Sequence, residues 1–171
     1  MNFLELVNKR KSVRQYSTKE IEEEKLDYIL ECARLAPSAC NLQPWHFMIV
    51  KSEEGKKLLQ ECYPREWFIS NPTPVYIIAC GNTEQSWKRS YDNKDHSDID
   101  VSITFEHICL AATEQELGTC WICHFDPAKI RELFNLPDHL YPLAITPLGY
   151  PAKDEPNTPK RKELNEIIEI I

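Results

Sequence analysis

The sequence predicts a single α+β domain. Four short apolar stretches indicate strands, at residues 45–50, 75–80, 119–125 and 141–151, because runs of this length bounded by turn residues are typical of buried strands. Segments whose apolar residues follow helical spacing lie between them. The chain has 171 residues, enough for one hydrophobic core, and contains neither an internal repeat nor a linker. One domain covering residues 1–171 is therefore expected.

Capping residues mark the first two helices. Asn2 is a suitable N-cap for a short helix at the start of the chain. Ser17 or Thr18 is the expected N-cap of the clearest helix, whose first turn is rich in glutamate. Pro37 is expected to end that helix, since the residue before a proline is disfavoured in the helical conformation.

Two patterns predict the later helices. Residues 52–63 and 101–118 have helical periodicity. Gly118 is the expected C-terminal cap of the second of these, because glycine adopts the left-handed conformation without strain. Asp126 followed by Pro127 is typical of the start of a last helix.

Composition excludes several classes of protein. A formal net charge of −7 disfavours nucleic acid as a partner, since such proteins usually carry a basic face. The longest apolar run, at residues 75–80, is far shorter than a membrane span. The N-terminus has its basic residues after its apolar ones, the wrong order for a signal peptide. Seven cysteines at irregular spacing indicate mostly buried thiols in a reducing cytoplasm.

The polar connection at residues 81–100 is long for a compact domain, and loops of this length are often lids or binding loops. Asp92, His96, Asp98 and Asp100 could hold a metal ion. A solvated acidic loop is far more common, and that interpretation is favoured here. No metal site is expected.

The sequence Cys120-x-x-Cys123 followed by His124 could be a redox pair or half of a zinc site. Positions three apart on a regular strand point to opposite faces, so the two sulfur atoms would not meet. Two buried strand cysteines are the better interpretation. A Cys/His hydrolase is formally possible, but nothing in the sequence places a base beside a nucleophile.

The four glycines form neither of the glycine-rich turns that hold phosphate through backbone amides. A nucleotide-like cofactor would therefore have to be held by side chains. Arg10, Ser12 and Arg14 could do this together on an irregular backbone, because guanidinium groups bind phosphate oxygens in pairs. Two basic stretches suggest a local anion site, although solvated surface runs explain them as well: Lys9, Arg10, Lys11 and Arg14, and Lys160, Arg161 and Lys162.

Five segments in order resemble the FMN-dependent nitroreductase family: RKSVRQY, ARLAPSACNLQPW, GTCWICHFD, TPLGYP and PKRK. The resemblance covers nearly the whole chain. It implies a nitroreductase-like fold, with a central, mainly antiparallel sheet flanked by helices, in an intertwined homodimer with FMN at the interface. It also implies a set of cofactor-binding residues: Arg10, Lys11, Ser12, Arg14, Pro37, Ser38, Ala39, Asn41, Gln43, Cys123, His124, Leu148, Gly149, Lys160 and Arg161.

The resemblance implies different roles for these residues. The 10–12 segment would serve the phosphate and ribityl side, with the basic tail as a second half of the clamp. Arg14 would approach the pyrimidine edge of the flavin, where reduction leaves negative charge. Residues 37–43 would belong to the other subunit and line the pocket across the interface. The peptide between Cys123 and His124 would lie near flavin N5, and Gly149 would let the backbone approach the ring.

The implied function is an oxidoreductase in which the flavin, and no side chain, carries the chemistry. Hydride from NADH or NADPH would pass through N5 to a small electron-poor acceptor, such as a nitroaromatic or a quinone, in ping-pong order. A flavin-binding sensor or storage protein without significant turnover is the alternative. Reductive dehalogenation or flavin breakdown is a third possibility, but relatives with those activities carry lid segments larger than residues 81–100.

Overall fold

A computed structural model describes residues 1–71, 73–153 and 159–171. The helices are α1 (Phe3–Lys9), α2 (Glu23–Arg34), α3 (Glu53–Cys62), α4 (Glu66–Ile69), α5 (Ser97–Glu114) and α6 (Pro127–Leu133). The strands are β1 (Trp45–Val50), β2 (Val75–Asn82), β3 (Gly118–Thr119) and β4 (Leu140–Gly149). Single 3-10 turns occur at Ala39–Asn41 and Leu164–Glu166. Among the described helices, none is long and apolar enough to cross a membrane.

The strands form one antiparallel sheet in the order β1-β2-β4-β3, which confirms the α+β prediction. At one end of the sheet Trp45 pairs with Gly81. At the other end Leu148 pairs with both Val75 and Thr119. The candidate site residues form two groups, one toward each of these two ends of the sheet.

The core lies on both faces of the sheet. Along β2, alternate residues point to opposite sides, as the strand period of two requires. Val75, Ile77 and Ala79 pack with α2 and α5 on one face, whereas Tyr76 and Ile78 pack with α3, α4 and α6 on the other. Helix α5 is therefore largely buried and apolar, which explains why its sequence shows weak amphipathicity.

Of the four capping predictions, two are confirmed and two are wrong. The Asn2 side chain accepts a hydrogen bond from the Glu5 N–H, and the Asp126 side chain accepts one from the Lys129 N–H. The predicted cap of α2 at Ser17 or Thr18 is wrong, because the helix begins at Glu23. Residues 12–17 instead form an extended segment beside the sheet, where the Ser17 N–H donates to the Tyr150 carbonyl.

The prediction for Gly118 is also wrong. Helix α5 has its C-cap at Gln115, and the left-handed residue that follows is Glu116, with φ 65°. Gly118 begins β3 instead. The predicted start of α5 at residue 101 is late, because the helix begins at Ser97.

The strand predicted at residues 119–125 is mostly absent. Pairing in this segment is limited to Gly118–Thr119 and an isolated bridge between Ile122 and Ile145. The Cys120 N–H donates to the Thr146 hydroxyl at 3.0 Å rather than to a strand carbonyl. Since Pro147 has no N–H to donate, this part of β4 cannot support a regular ladder on that side.

Candidate functional site

The 12–16 segment lies against the short strand β3. Ser12 forms a parallel bridge with Thr119, and the Val13 N–H donates to the Thr119 carbonyl at 2.8 Å. A Cβ atom on Gly118 would lie only 2.7 Å from Cγ2 of Val13 and 2.8 Å from its Cβ. Gly118 is thus required for the close approach of this segment.

Asn71 holds the same segment from its other side. Its side-chain amide donates to the Arg14 carbonyl at 2.8 Å and to the Trp67 carbonyl, and its side-chain oxygen accepts from the Tyr16 N–H at 3.2 Å. Sequence reasoning missed Asn71, because one asparagine in a turn has no distinctive signal. Its bonds fix the backbone on both sides of Gln15.

Tyr16 anchors the end of the segment in the core. Its ring is buried, and its hydroxyl donates to the Val13 carbonyl at 2.7 Å. Burial raises the pKa of this hydroxyl well above its ordinary value, so it remains a hydrogen-bond donor. Between these anchors, the Ser12 and Arg14 side chains are exposed.

A cavity of about 510 Å³ opens beside the segment, lined by side chains that include Ser12, Arg14, Gln15, Trp67, Asn71 and Ala152. The Arg14 guanidinium carbon lies 5.9 Å from the centroid of the Trp67 ring, within the range of a cation–π contact. Trp67 was not among the predicted site residues. The cavity therefore has a cationic edge and an aromatic wall.

Cys120 interacts with two residues that line this cavity, Ser12 and Arg14. Its thiol is buried, and burial raises its pKa, while the Arg14 charge and a hydrogen bond from Ser12 oppose that shift. Cys123 is exposed and accepts a hydrogen bond from the Trp121 indole N–H at 3.2 Å. The prediction of two buried strand cysteines is therefore correct for the burial of Cys120, although this residue follows β3 rather than lying in it, and wrong for Cys123.

Leu148 and Gly149 lie beside the segment, at the end of β4. The Leu148 side chain is fully buried. A Cβ atom on Gly149 would lie 3.0 Å from Cδ of Pro74 and 3.2 Å from Cδ1 of Tyr16. Packing within the chain thus accounts for this glycine, and both residues could contact a ligand only through their backbone. Cys123 and His124 follow the Ile122 bridge and are exposed.

Residues 38–43 form a separate turn. Three of its residues are in the left-handed region: Cys40 with φ 51°, Asn41 with φ 55° and Gln43 with φ 52°. The Gln43 N–H donates to the Ser38 hydroxyl at 2.9 Å. Pro37, Asn41 and Gln43 are exposed, whereas Ser38 and Ala39 are half-buried.

The turn and the 10–14 segment lie toward opposite ends of the sheet. The turn leads directly into Trp45, which pairs with Gly81, whereas the 10–14 segment approaches the end where Leu148 pairs with Val75. Along β2, the span from Val75 to Gly81 is about 20 Å at the usual rise per residue. A single chain therefore does not bring the two groups of predicted residues together.

The third group of predicted site residues is the basic tail. Lys160 and Arg161 are exposed, and the hydrogen bond that the Arg161 side chain makes within the described residues goes to the Lys160 carbonyl at 3.3 Å. Their predicted role in a phosphate clamp stays a prediction.

A sequence model of the nitroreductase family matches residues 7–72 and 67–150. The chain belongs to the nitroreductase family. The crystal structure of a nitroreductase family protein from Clostridium difficile 630 superposes with a TM-score of 0.89 and 38% identity, covering 99% of this chain and 98% of that one. An FMN-dependent nitroreductase from Clostridium difficile R20291 has a TM-score of 0.81 and 27% identity, with 98% of each chain covered.

A sequence relative gives the same assignment. A protein of Methanothermobacter thermautotrophicus, provisionally named an NADH dehydrogenase/NAD(P)H nitroreductase, is 34% identical over 158 residues, or 90% of this chain and 80% of its own length. The fold predicted from the five motifs is thus confirmed for this nitroreductase-family chain.

The residues beside the cavity fit a flavin mononucleotide. A volume of about 510 Å³ lies within the usual range for cofactor pockets, roughly 300–1,000 Å³. Within the described residues, neither Arg10 nor Arg14 forms an ion pair with a carboxylate. The Arg14 charge is thus available to an anion in this cavity, which Ser12 lines as well. The Arg10 charge instead acts on the Glu106 carboxylate, where it opposes the rise in pKa that burial causes.

Internal ion pairs and hydrogen bonds hold the acidic loop of this nitroreductase-family chain. Asp92 pairs with Arg89 at 2.5 Å, and Asp95 accepts a hydrogen bond from the Ser86 hydroxyl at 2.5 Å. The expectation of a solvated loop is correct for Asp92, which is exposed. It is wrong for Asp100, which is 2% exposed in the first turn of α5.

Proposed function

We propose that this chain is an FMN-dependent oxidoreductase that takes hydride from NADH or NADPH and delivers it to a small electron-poor acceptor. The observation that carries the proposal is the 10–16 segment, which is fixed beside the sheet with Arg14 lining a cavity that has Trp67 as its aromatic wall. Membership of the nitroreductase family and the names of its relatives support the same activity.

The 10–14 segment has two tasks in this proposal. Arg10, Lys11 and Ser12 bind the phosphate and ribityl side of FMN through charge-assisted hydrogen bonds, with Lys160 and Arg161 of the tail as a second contact. Arg14 presents its guanidinium to the pyrimidine edge, where a fixed cation stabilises negative charge. Bound FMN supplies the hydride chemistry, at N5.

The segment after β3 shapes the substrate side of the pocket. The main-chain N–H between Cys123 and His124 is proposed to donate toward the flavin N5 edge. Both side chains are exposed and narrow the space available to an acceptor. The nicotinamide donor occupies this side of the pocket first and leaves. The acceptor, which is a nitroaromatic, quinone or related ring, then takes its place, so the reaction follows ping-pong order.

The complete site is proposed to need two chains. Within one chain, the predicted residues of the turn lie toward the opposite end of the sheet from Leu148. They are therefore assigned to the site of a partner: Pro37, Ser38, Ala39, Asn41 and Gln43.

Exposed apolar residues support a homodimer. Phe3 is 69% exposed and Ile99 is 42% exposed, and both line a cavity between α1 and α5. The isoleucines of the tail are exposed as well.

Absorption spectroscopy of the purified protein tests the proposal. We expect a flavin spectrum, either as isolated or after incubation with FMN, that is bleached under anaerobic conditions by NADH or NADPH. A protein that stays colourless after incubation with FMN contradicts the proposal. A bound flavin that neither nucleotide bleaches indicates instead a sensor or storage protein of the same fold. Reoxidation by a quinone or a nitroaromatic then identifies the acceptor class.

A further inference from the structure

A buried carboxylate connects α5 to the left-handed turn. Asp100 is 2% exposed, and its Oδ1 accepts a hydrogen bond from the Ala39 N–H at 2.9 Å, across 61 residues of sequence. Its Oδ2 is buried and makes no hydrogen bond with the described residues. Burying a carboxylate with one oxygen unpaired is costly, so a residue of this kind needs a specific reason.

The turn itself needs support from outside. Three non-glycine residues, Cys40, Asn41 and Gln43, adopt left-handed backbone conformations, which are unfavourable for side chains with a Cβ. The other hydrogen bonds of the turn are local, such as that from the Gln43 N–H to the Ser38 hydroxyl. Within the described residues, the bond to Asp100 is the tertiary side-chain hydrogen bond that holds the turn.

Asp100 lies at a position of α5 that suits a carboxylate. It lies in the first turn of α5, where the helix dipole favours negative charge, and its own N–H donates to the His96 carbonyl at 3.0 Å. Helix α5 is anchored in the core. The Asp100 carboxylate therefore connects the rigid helix α5 to the strained turn at residues 38–43.

We propose that Asp100 is a positioning residue that holds Ala39–Asn41 in the conformation needed to line the flavin of the partner's site. This inference rests on the proposed function, in which residues 37–43 contact FMN across the dimer interface. Asp100 acts through the Ala39 backbone and is not assigned a contact with the cofactor.

A general role in stability is the competing explanation, and the chain offers a matched control for it. Thr104 lies one turn further along α5, is fully buried, and donates its hydroxyl to the Ala33 carbonyl at 2.6 Å. This bond ties α5 to the end of α2 and not to the turn. Thr104→Val thus removes a buried hydrogen bond of α5 and leaves the turn intact.

FMN affinity of the apoprotein, measured by quenching of flavin fluorescence, distinguishes the two roles. Asp100→Ala is expected to weaken binding by about 10- to 100-fold, as the loss of a buried charged acceptor implies. Asp100→Asn retains an acceptor oxygen and is expected to restore most of the affinity. Thr104→Val is expected to lower the melting temperature with less than about a threefold change in affinity.

A second variant removes the donor instead of the acceptor. Ala39→Pro has no N–H at this position, and Ser38 is already extended, with φ −142° and ψ 162°, as a residue before proline prefers. It is expected to weaken FMN binding as Asp100→Ala does, and it decides the question if Asp100→Ala does not fold. Affinity like the wild type in Ala39→Pro, or an equal loss in Thr104→Val, overturns the proposal.

Hydrogen exchange of the apoprotein separates this inference from the proposed function. The Ala39 amide is expected to be protected in the wild type and in Thr104→Val, and to exchange at least about tenfold faster in Asp100→Ala. Faster exchange supports positioning of the turn even if the wild-type chain binds no FMN, in which case the proposed function fails by itself. Unchanged protection in Asp100→Ala overturns the inference.

Discussion

Arg14 is the side chain on which the proposed chemistry depends most directly. Its backbone is held by Asn71 on one side, and its guanidinium lies near the face of Trp67. A side chain restrained in this way loses little conformational freedom when it binds an anion. The preorganised charge can therefore stabilise both the bound cofactor and its reduced state.

Arg14→Ala is expected to weaken FMN binding by about 10- to 100-fold, since a charge-assisted hydrogen bond is lost. Reduction by NADPH should be slowed as well, because the pyrimidine edge loses its cation. Flavin fluorescence and anaerobic stopped-flow absorbance measure the two effects. Arg34→Ala is the control, since Arg34 is an exposed arginine that pairs with Glu31 on α2. An Arg14 variant that matches this control in both measurements contradicts the assigned role.

At the scale of the element, β3 is the short strand that sets the position of the 10–14 segment. Gly118 allows Val13 to approach to a distance that no side chain would permit. Gly118→Ala forces either β3 or the segment to move, and overpacking of this kind costs about 1–3 kcal/mol. We expect the melting temperature to fall by roughly 2–10 °C and FMN affinity to fall with it. Thermal melting of the apoprotein, followed by FMN titration, checks both outcomes. If the alanine variant has the melting temperature and FMN affinity of the wild type, the close approach of Val13 to Gly118 contributes neither to stability nor to FMN binding.

The loop between β2 and α5 gives a prediction about pH. Burial raises the pKa of Asp95, but hydrogen bonds from Ser86 and Ser97 outweigh it, so the pKa lies below its ordinary value. A carboxylate with a lowered folded-state pKa stabilises the fold above the unfolded pKa, about 3.9. That contribution is lost as the pH falls through the folded-state pKa.

Asp95→Ala is therefore expected to lower the free energy of unfolding by about 1–3 kcal/mol at pH 7, and the difference from wild type should narrow below about pH 4. Ser86→Ala removes one of the donors and should show the same trend with a smaller amplitude. Denaturant unfolding at several pH values measures both variants. A difference between Asp95→Ala and wild type that is constant from pH 7 to pH 3 rules out the linkage.

Local signals predicted most elements of this fold, and tertiary contacts explain where they failed. Strands β1, β2 and β4 and the caps at Asn2 and Asp126 were predictable because apolar runs and capping residues act locally. The start of α2 was not, because Ser17 is used beside the sheet. The short β3 depends on Pro147 of a strand that follows later in the chain. Both cases reflect pairing between residues distant in sequence.

The same distinction applies to the candidate site. The RKSVR motif carries its chemistry in its residue types, so Arg10, Ser12 and Arg14 could be proposed from sequence alone. Asn71 and Asp100 act by hydrogen-bonding distant backbone groups, and nothing in their neighbours marks that role. Residues that bind are thus easier to predict than residues that hold the binding residues in place.

At the scale of the whole molecule, the proposed site depends on dimerisation. The groove between α1 and α5 has a volume of about 680 Å³ and exposes Phe3 and Ile99. Exposed apolar patches of this kind are typical of interfaces between chains. If the turn at residues 38–43 completes the site of the partner, a substitution on this face that prevents dimerisation must also weaken flavin binding.

Ile99→Asp tests this dependence. A buried, unpaired charge at an apolar interface strongly disfavours association, so we expect the variant to be monomeric at micromolar concentration. FMN affinity should then fall by at least about tenfold, because each monomer retains only half of the site. Tyr91→Asp is the control, since Tyr91 is 96% exposed in the loop before α5 and should leave assembly and affinity unchanged. Light scattering and FMN titration on the same samples measure both properties. An Ile99→Asp monomer that binds FMN as tightly as the wild type would show that one chain holds the flavin by itself and that residues 37–43 do not contact it.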